Sequence, residues 1–458
     1  MFAVGLVISY LFAAFGIVRT NLIPGKYLLP ALLVPAIAAI GLAFLHAAKP
    51  LSRIKAIGIA VISLFVIIGN LYLYSLGSAT ARFLDAVQTD GYTYEEYSII
   101  AKKDRHVKLS DNGHQAGFIS TDANNDQVKK EVDARTKTIY QSYGELTSLT
   151  MALSDQHTDL AVIKSAYVQL LRENNPAFYQ TTEILETFTV RQKNQTVPMQ
   201  TDTTKPFVMY ISGIDTYGAI GTVARSDVNI LAIVNPRTHK ILLVNTPRDY
   251  YVQLHGTTGP RDKLTHAGMY GIDMSVQTLE DLYGVDINYY MRVNFATLTS
   301  VVNTLGGVSV YSEYDFTAEG YHFNVGYNQL DGKAALSFSR ARKQFEDGDR
   351  TRGHNQQRVI EAIIRKLSTP ETLVNYQKIM AALSGTFQTN ASSETIAAVM
   401  NKQLDDMEAW QIESASVTGT GRTDYTYSMG QIPLYVMEPD QPSIDTVKRK
   451  ISHYLTAN

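Results

Sequence analysis

Residues 206–249, PFVMYISGIDTYGAIGTVARSDVNILAIVNPRTHKILLVNTPRD, decide the fold of the larger part of this chain. PFVMYISGID and DVNILAIVN are strand-like apolar runs, and NPRTHK makes a tight turn into KILLVNT. Further on, strands alternate with helices. DKLTHAGMYGIDMSVQTLEDLYG reads as a helix interrupted by Gly268 and Gly271, NYYMRVNF as a strand, and TLTSVVNTLGG as a helix closed by glycine. A strand follows at GVSVYSE, with helices around 331–340, 353–368, 373–384 and 392–404. WQIESASV and IPLYVME are late strands, and a last helix begins near Ser443. This alternation predicts an α/β/α sandwich with a mixed central sheet over residues 206–458.

Upstream, QKNQTVPMQTDTTK is polar and predicts a linker, with its boundary at 196–205. Residues 95–195 read as a small α+β accessory domain. EYSIIAK and AGFIS are its strands around the Asp111-Asn112-Gly113 turn, and a helix opens at Asp122. DLAVIKSAYVQLLREN is expected to be one helix capped by Thr158-Asp159, because Leu160, Ile163, Ala166, Tyr167 and Leu170 share a helical face. No chemical constellation falls within this domain.

The chain has 458 residues, 41 basic and 43 acidic, for a net charge of −2. That near-neutral total hides a division. All 43 carboxylates lie at or after Asp85, whereas Arg19, Lys26, Lys49, Arg53, Lys55 and Arg82 are the Lys and Arg before it. Three apolar runs occupy this acid-free head, about 2–18, 27–48 and 56–77. The second and third lie in uncharged stretches of 22 and 26 residues, against the roughly 20 that a helix needs to cross a bilayer. A signal peptide is the other reading of the first run, but no basic segment precedes it and two further runs follow. Residues 1–78 are therefore expected to be a membrane region and 79–94 a polar connector. Lys49, Arg53 and Lys55 place the second loop inside, and everything after about residue 78 outside. With no cysteine, disulfide scaffolds, thiolate metal sites and thiol nucleophiles are excluded.

Charged residues gather at the strand ends, where open α/β sheets place their sites. Asp215 closes one strand, Arg225 and Asp227 open the next, and Arg248-Asp249 close the third. The densest cluster runs from Arg340 through Arg342, Asp349, Arg350 and Arg352 to Gln356 and Arg358. Within 340–358, six basic residues face three acidic ones. Guanidinium forks suit the oxygens of a pyrophosphate, and Asp215 and Asp227 suit Mg²⁺ held against the same phosphates. Together they describe a phosphoryl-transfer site. Surface ion pairing, with Asp347 and Asp349 neutralising Arg342 and Arg350, is the competing reading. His266 and His354 lack a second histidine at metal spacing. P-loop, dinucleotide and G-x-S-x-G signatures are missing.

ISGIDTYG, RSDVNIL, NTPRDYYV, DKLTHAGMYG, VDINYYMRVNF, LGGVSVY and SRARKQFEDGDRTRGHNQQ stand here in an order that resembles the LytR-CpsA-Psr (LCP) family of Gram-positive bacteria, its capsule-associated CpsA group from streptococci in particular. The resemblance is strong over about 206–368 and includes the layout of spans, accessory domain and catalytic domain. It implies a multi-pass cell-membrane protein with an extracellular catalytic domain. Its expected activity is to take capsular polysaccharide from undecaprenyl pyrophosphate, join it to peptidoglycan through a phosphodiester and release undecaprenyl phosphate. By position, Asp215 and Asp227 match the family's Mg²⁺ carboxylates (Mn²⁺ being the substitute ion). Arg225, Arg248, Arg340, Arg342, Arg352 and Gln356 match its pyrophosphate-binding set, and the lipid is expected in a tunnel through the sandwich. Arg248, Asp249 and Asp349 are the expected catalytic residues, with Asp249 or Asp349 taking the proton of the acceptor hydroxyl. Other capsule export and assembly proteins are further expected partners; nucleic acid is not one. Three alternatives stay open: a polyprenyl-pyrophosphate phosphatase, a wall teichoic acid ligase, and a membrane-bound transcriptional attenuator, which would need a basic cytoplasmic domain.

Overall fold

In the computed structural model of the chain, the described residues are 2–20, 25–47, 52–87, 92–193, 202, 204–214, 223–369, 372, 379 and 386–457. Helices α1 (Phe2–Thr20), α2 (Gly25–Ala47) and α3 (Arg53–Val87) form the head. All three are long and apolar enough to cross a membrane. Asn70 Nδ2 donates to Ser9 Oγ across 3.2 Å, a polar link between α3 and α1 of the kind that joins helices in lipid. The connector expected over 79–94 is largely absent as such, because α3 continues to Val87. No proline or glycine interrupts SATARFLDAV after Gly77, so nothing ends the helix earlier.

The next unit is a five-stranded sheet in the order β3-β2-β4-β1-β5. Its strands are β1 (Tyr92–Lys102), β2 (His114–Ile119), β3 (Thr138–Tyr143), β4 (Leu160–Lys164) and β5 (Thr182–Lys193), and its helices α4 (Asn125–Asp133), α5 (Leu146–Ser154), α6 (Ser165–Asn174) and α7 (Pro176–Gln180). The single helix expected from Thr158 is instead strand β4 followed by α6. LAVIK is central and buried on both faces, and such a strand shows the same continuous apolar run as a buried helix. Thr158 and Asp159 bond to Gln115 of β2 rather than capping a helix.

The larger unit is built on a six-stranded mixed sheet ordered β16-β11-β6-β7-β8-β17. Its strands are β6 (Phe207–Ile214), β7 (Ser226–Asn235), β8 (Lys240–Asn245), β11 (Tyr289–Val293), β16 (Gln388–Thr389) and β17 (Gln411–Ser416). β11 runs parallel to β6 and β17 parallel to β8, whereas β6, β7 and β8 form an antiparallel meander. Between these lie β9 (Tyr251–Val252), β10 (Asp262–Lys263), α8 (Leu264–Ala267), α9 (Ile272–Tyr283), α10 (Phe295–Thr304) and the short strands β12 (Val308–Ser312), β13 (Phe316–Ala318), β14 (Tyr321–Phe323) and β15 (Gly326–Leu330). Helices α11 (Gly332–Arg340), α12 (Gly348–Leu367), α13 (Ser393–Asp406) and α14 (Gln441–Thr456), with the hairpin β18 (Gly419–Thr426) and β19 (Gly430–Pro439), complete it. The helix expected at 373–384 falls almost wholly outside the described residues.

Period-two alternation splits the sheet between two cores. Val208, Tyr210, Leu231, Ile233, Leu242 and Val244 pack under α9 and α14. On the opposite face, Met209, Ile211, Val228, Ala232 and Ile241 turn toward α12. The result is the α/β/α sandwich that the sequence predicts. The two units dock through apolar contacts, in which Met269, Met429 and Leu434 join the core around Leu149 and Leu170.

An arginine-mouthed apolar cavity

Between the sheet and helices α10 to α12 lies a cavity of about 480 Å³. Its walls are aliphatic: Met209, Ile211 and Ala232 from the strands, Leu298 and Val301 from α10, and Ile360, Ile363 and Ile364 from α12. Its mouth is charged, with Asp227, Arg248, Arg340, Arg342, Arg352 and Gln356 in the lining. One helix supplies both characters. Arg352, Gln356, Ile360 and Ile363 recur at intervals of three and four along α12, so the polar first turns and the apolar later ones share one stripe. The helix starts five residues before the expected 353, which draws Asp349 and Arg352 out of an apparent loop. Gly353 lets α12 approach the end of β8, since a Cβ there would collide with the Asn245 side chain.

Arg248 is central. Its Nη1 donates to Asp227 Oδ2 across 2.8 Å, and its Nε stands 3.6 Å from Asp249 and 3.9 Å from Asp349. Burial opposes its charge, but Asp227, Asp249 and Asp349 outweigh that and hold its pKa above the ordinary arginine value. The Nε group itself is buried without a hydrogen-bond partner among the described residues. A buried donor left in that state costs about 1–3 kcal/mol, which an incoming acceptor oxygen would recover.

Around it the charges are interleaved. Asp349 Oδ1 lies 3.2 Å from Arg352 and 3.8 Å from Arg342, so the ion pairing read from the sequence and the arginine cluster are one arrangement. Arg340 sits 4.6 Å above the Phe295 ring and 3.3 Å from Glu319. Asp249 is buried, and its Oδ1 accepts from Lys263 Nζ at 2.9 Å. Burial would raise its pKa, yet Lys263 and Arg248 hold it below the usual carboxylate value. A carboxylate so stabilised is a poor proton acceptor; Asp349, the other expected base, faces the cavity mouth arginines Arg342 and Arg352. Beside Asp249 and Asp349, the half-exposed Tyr435 has its hydroxyl pKa pushed up, first by burial and then by those two carboxylates.

Two residues in the expected set stand apart. Asp215 lies outside the described residues. Arg225 does not line the cavity; its guanidinium is clasped by Glu173 of α6, Nη1 to Oε2 at 2.7 Å and Nη2 to Oε1 at 2.9 Å. Sequence reading also misses Lys263, Thr265, which donates to Asp227 Oδ1 at 3.0 Å, and Glu173 itself. The first two lie within the quoted DKLTHAG segment, whereas nothing in LLREN marks the glutamate. His266 is buried against Asp262 at 2.6 Å as a hydrogen-bonding histidine. His354 is kept below its ordinary pKa by burial, then by Arg358 and Arg350.

No group of three or more metal-binding side chains occurs among the described residues. Asp227 alone still fits Mg²⁺, which takes one or two carboxylates and completes its shell with phosphate oxygens and water. Each of its oxygens accepts one hydrogen bond and retains a lone pair.

An aliphatic cavity whose entrance carries convergent guanidinium groups has the shape and charge to suit an amphiphilic anion, apolar at one end and multiply charged at the other. Residues 175–452 match the LytR_cpsA_psr family. The chain belongs to the LytR-CpsA-Psr family, as the sequence resemblance implies. A polyisoprenyl-teichoic acid–peptidoglycan teichoic acid transferase TagU from Enterococcus faecalis is 32% identical over 275 residues, covering 59% of this chain and 86% of that protein. A TagU from Bacillus cereus (strain ZK / E33L) is 32% identical over 231 residues, covering 50% of this chain and 75% of its own. Among solved structures, B. subtilis TagV aligns at 27% identity with a TM-score of 0.47, over 56% of this chain and 99% of that one. A structure of TagT bound to LI-WTA aligns at 26% identity with a TM-score of 0.46, over 57% and 96%.

Proposed function

We propose that this chain is a membrane-anchored phosphotransferase that moves a glycopolymer from a polyisoprenyl pyrophosphate carrier to a peptidoglycan hydroxyl outside the cell. The observation that carries the proposal is the cavity, an aliphatic sleeve that opens onto Arg248, Arg342 and Arg352, with the Arg248 Nε–H lacking an acceptor among the described residues. The names of the TagU relatives, transferases from polyisoprenyl carriers to peptidoglycan, support it.

In this reaction the acceptor oxygen bonds to the phosphorus that bears the polymer, and the bond from that phosphorus to the bridging oxygen breaks. The bridging oxygen keeps the electron pair and departs as polyisoprenyl phosphate, while the hydroxyl proton passes to Asp349. Arg248, Arg342 and Arg352 neutralise charge on the two phosphates, the main demand of phosphoryl transfer. Lys263 and Asp249 hold the Arg248 segment in place. A Mg²⁺ or Mn²⁺ ion, held by Asp227 and substrate oxygens, would supply further neutralisation.

Capsular polysaccharide is the polymer we favour, because the three-helix head and the accessory unit lie largely outside the family match and resemble the capsule-associated layout. Wall teichoic acid is the second reading, favoured by the relatives' names. Purified full-length protein incubated with lipid-linked capsule or teichoic acid precursor, with and without peptidoglycan, tests both. Polymer joined to peptidoglycan from one donor selects the substrate. Free polymer phosphate, formed equally without acceptor, would make the protein a hydrolase instead.

A further inference from the structure

We propose that the accessory unit completes this site, with Glu173 acting as the positioning residue that fixes Arg225 for the substrate phosphates. The inference rests on reading the cavity mouth as a pyrophosphate site. Three contacts carry it. The Glu173 carboxylate grips both terminal nitrogens of Arg225 at 2.7 and 2.9 Å, although the two residues are 52 positions apart, one in α6 of the accessory unit and the other just before β7 of the larger unit. The Arg225 side chain is only 13% exposed, against 40% for Glu173, so the arginine half of this fork-to-fork bond is largely withdrawn from water while the carboxylate stays accessible. The backbone beneath it is held from both sides. Val223 N donates to Tyr94 O of the accessory strand β1 at 3.3 Å, and Gly268 of the larger unit lies so close that a Cβ would come within 2.6 Å of Ala224 O.

The geometry leaves Arg225 usable. A guanidinium has five N–H donors, and Glu173 engages two of them, leaving the Nε edge for a phosphate oxygen. Asp227 lies two residues further on, at the start of β7, and lines the cavity mouth, so Arg225 stands beside the reacting groups. Glu173 also feels that neighbourhood. Burial would raise its pKa, but Arg225 and, more distantly, Arg248 hold it below the ordinary glutamate value. An arginine free to sample many rotamers would have to be ordered by each substrate, and the clasp removes that cost in advance.

The test uses full-length protein in detergent, with undecaprenyl pyrophosphate binding measured by calorimetry and transfer assayed in parallel. Glu173→Gln should weaken binding about tenfold, Glu173→Asp should do so less, and Glu173→Gln should have no further effect in an Arg225→Ala background. Thr147→Ala removes another inter-unit bond, to Met429 O, and should bind like the parent. Unchanged or tighter binding by Glu173→Gln, additive losses with Arg225→Ala, or an equal loss in Thr147→Ala would overturn the proposal. A parent protein that binds the lipid without transferring polymer would sink the transferase reading and leave the Glu173 result to stand on its own. A parent that does not bind the lipid would overturn both.

Discussion

Arg248 Nη1 and Asp227 Oδ2 meet at 2.8 Å, tying the turn after β8 to the start of β7, the neighbouring strand of the meander. The pair keeps a mostly buried cation charged and aimed while no ligand is present. Five cations at this site (Arg248, Arg340, Arg342, Arg352 and Lys263) face four carboxylates (Asp227, Asp249, Asp349 and Glu319). On the proposed function, a pyrophosphate would enter by exchanging ion pairs with these groups.

Arg248→Lys should lower kcat by about 10²-fold or more, the order of effect found when a single preorganised donor is lost. Lysine keeps the charge but not the fork that spans Asp227 and the unfilled Nε direction. Steady-state transfer assays check this, and a variant within twofold of the parent would remove Arg248 from the reaction.

Asp249→Asn should destabilise the protein at neutral pH by about 3 kcal/mol, because Lys263 and Arg248 lose a buried counter-charge. The sign with pH follows from the depressed pKa of Asp249. Its contribution is fully present above the unfolded value near 3.8 and fades as pH falls through the lower folded value. Thermal melts across pH 3–8 should therefore show a shallower acid decline in Asp249→Asn than in the parent.

Ala232→Phe places a ring in the aliphatic wall of the cavity. The expected outcome is a KM for a long polyisoprenyl donor raised about tenfold, with little change for a short-chain donor that occupies the mouth alone. Comparing donors of two chain lengths checks it, and equal effects on both would mean the chain lies elsewhere.

The absence of native cysteine makes single thiols unambiguous reporters. Ser110→Cys in the accessory unit should react with a membrane-impermeant maleimide on intact cells, and Ser52→Cys between α2 and α3 only after permeabilisation. The reverse pattern would place the cavity in the cytoplasm.

Legibility in the sequence followed local physics. The β6–β8 meander was readable because alternation and the NPRTHK turn act over a few residues, and the three head helices because bilayer thickness sets their length. Strand β4 was not, since burial on both faces erases its period. The first turns of α12 look like a polar loop in DGDRTRG; they are helical because their charges pair with one another and with Arg248 once α12 rests on β8. Of the site, the arginines and Asp227 stood out by residue type, whereas Glu173 meets its partner only across the contact between the accessory unit and the larger one.

Lys26, the second residue of α2, lies 2.7 Å from Asp405 at the end of α13. This half-exposed ion pair links the larger unit to the head at a second point besides the chain leaving α3. For an enzyme of the proposed kind, that fastening turns encounter into a search within a plane. The lipid carrier and the head helices of such an enzyme would share one bilayer, and turnover should follow the number of carriers per unit of bilayer area rather than their concentration in bulk solution.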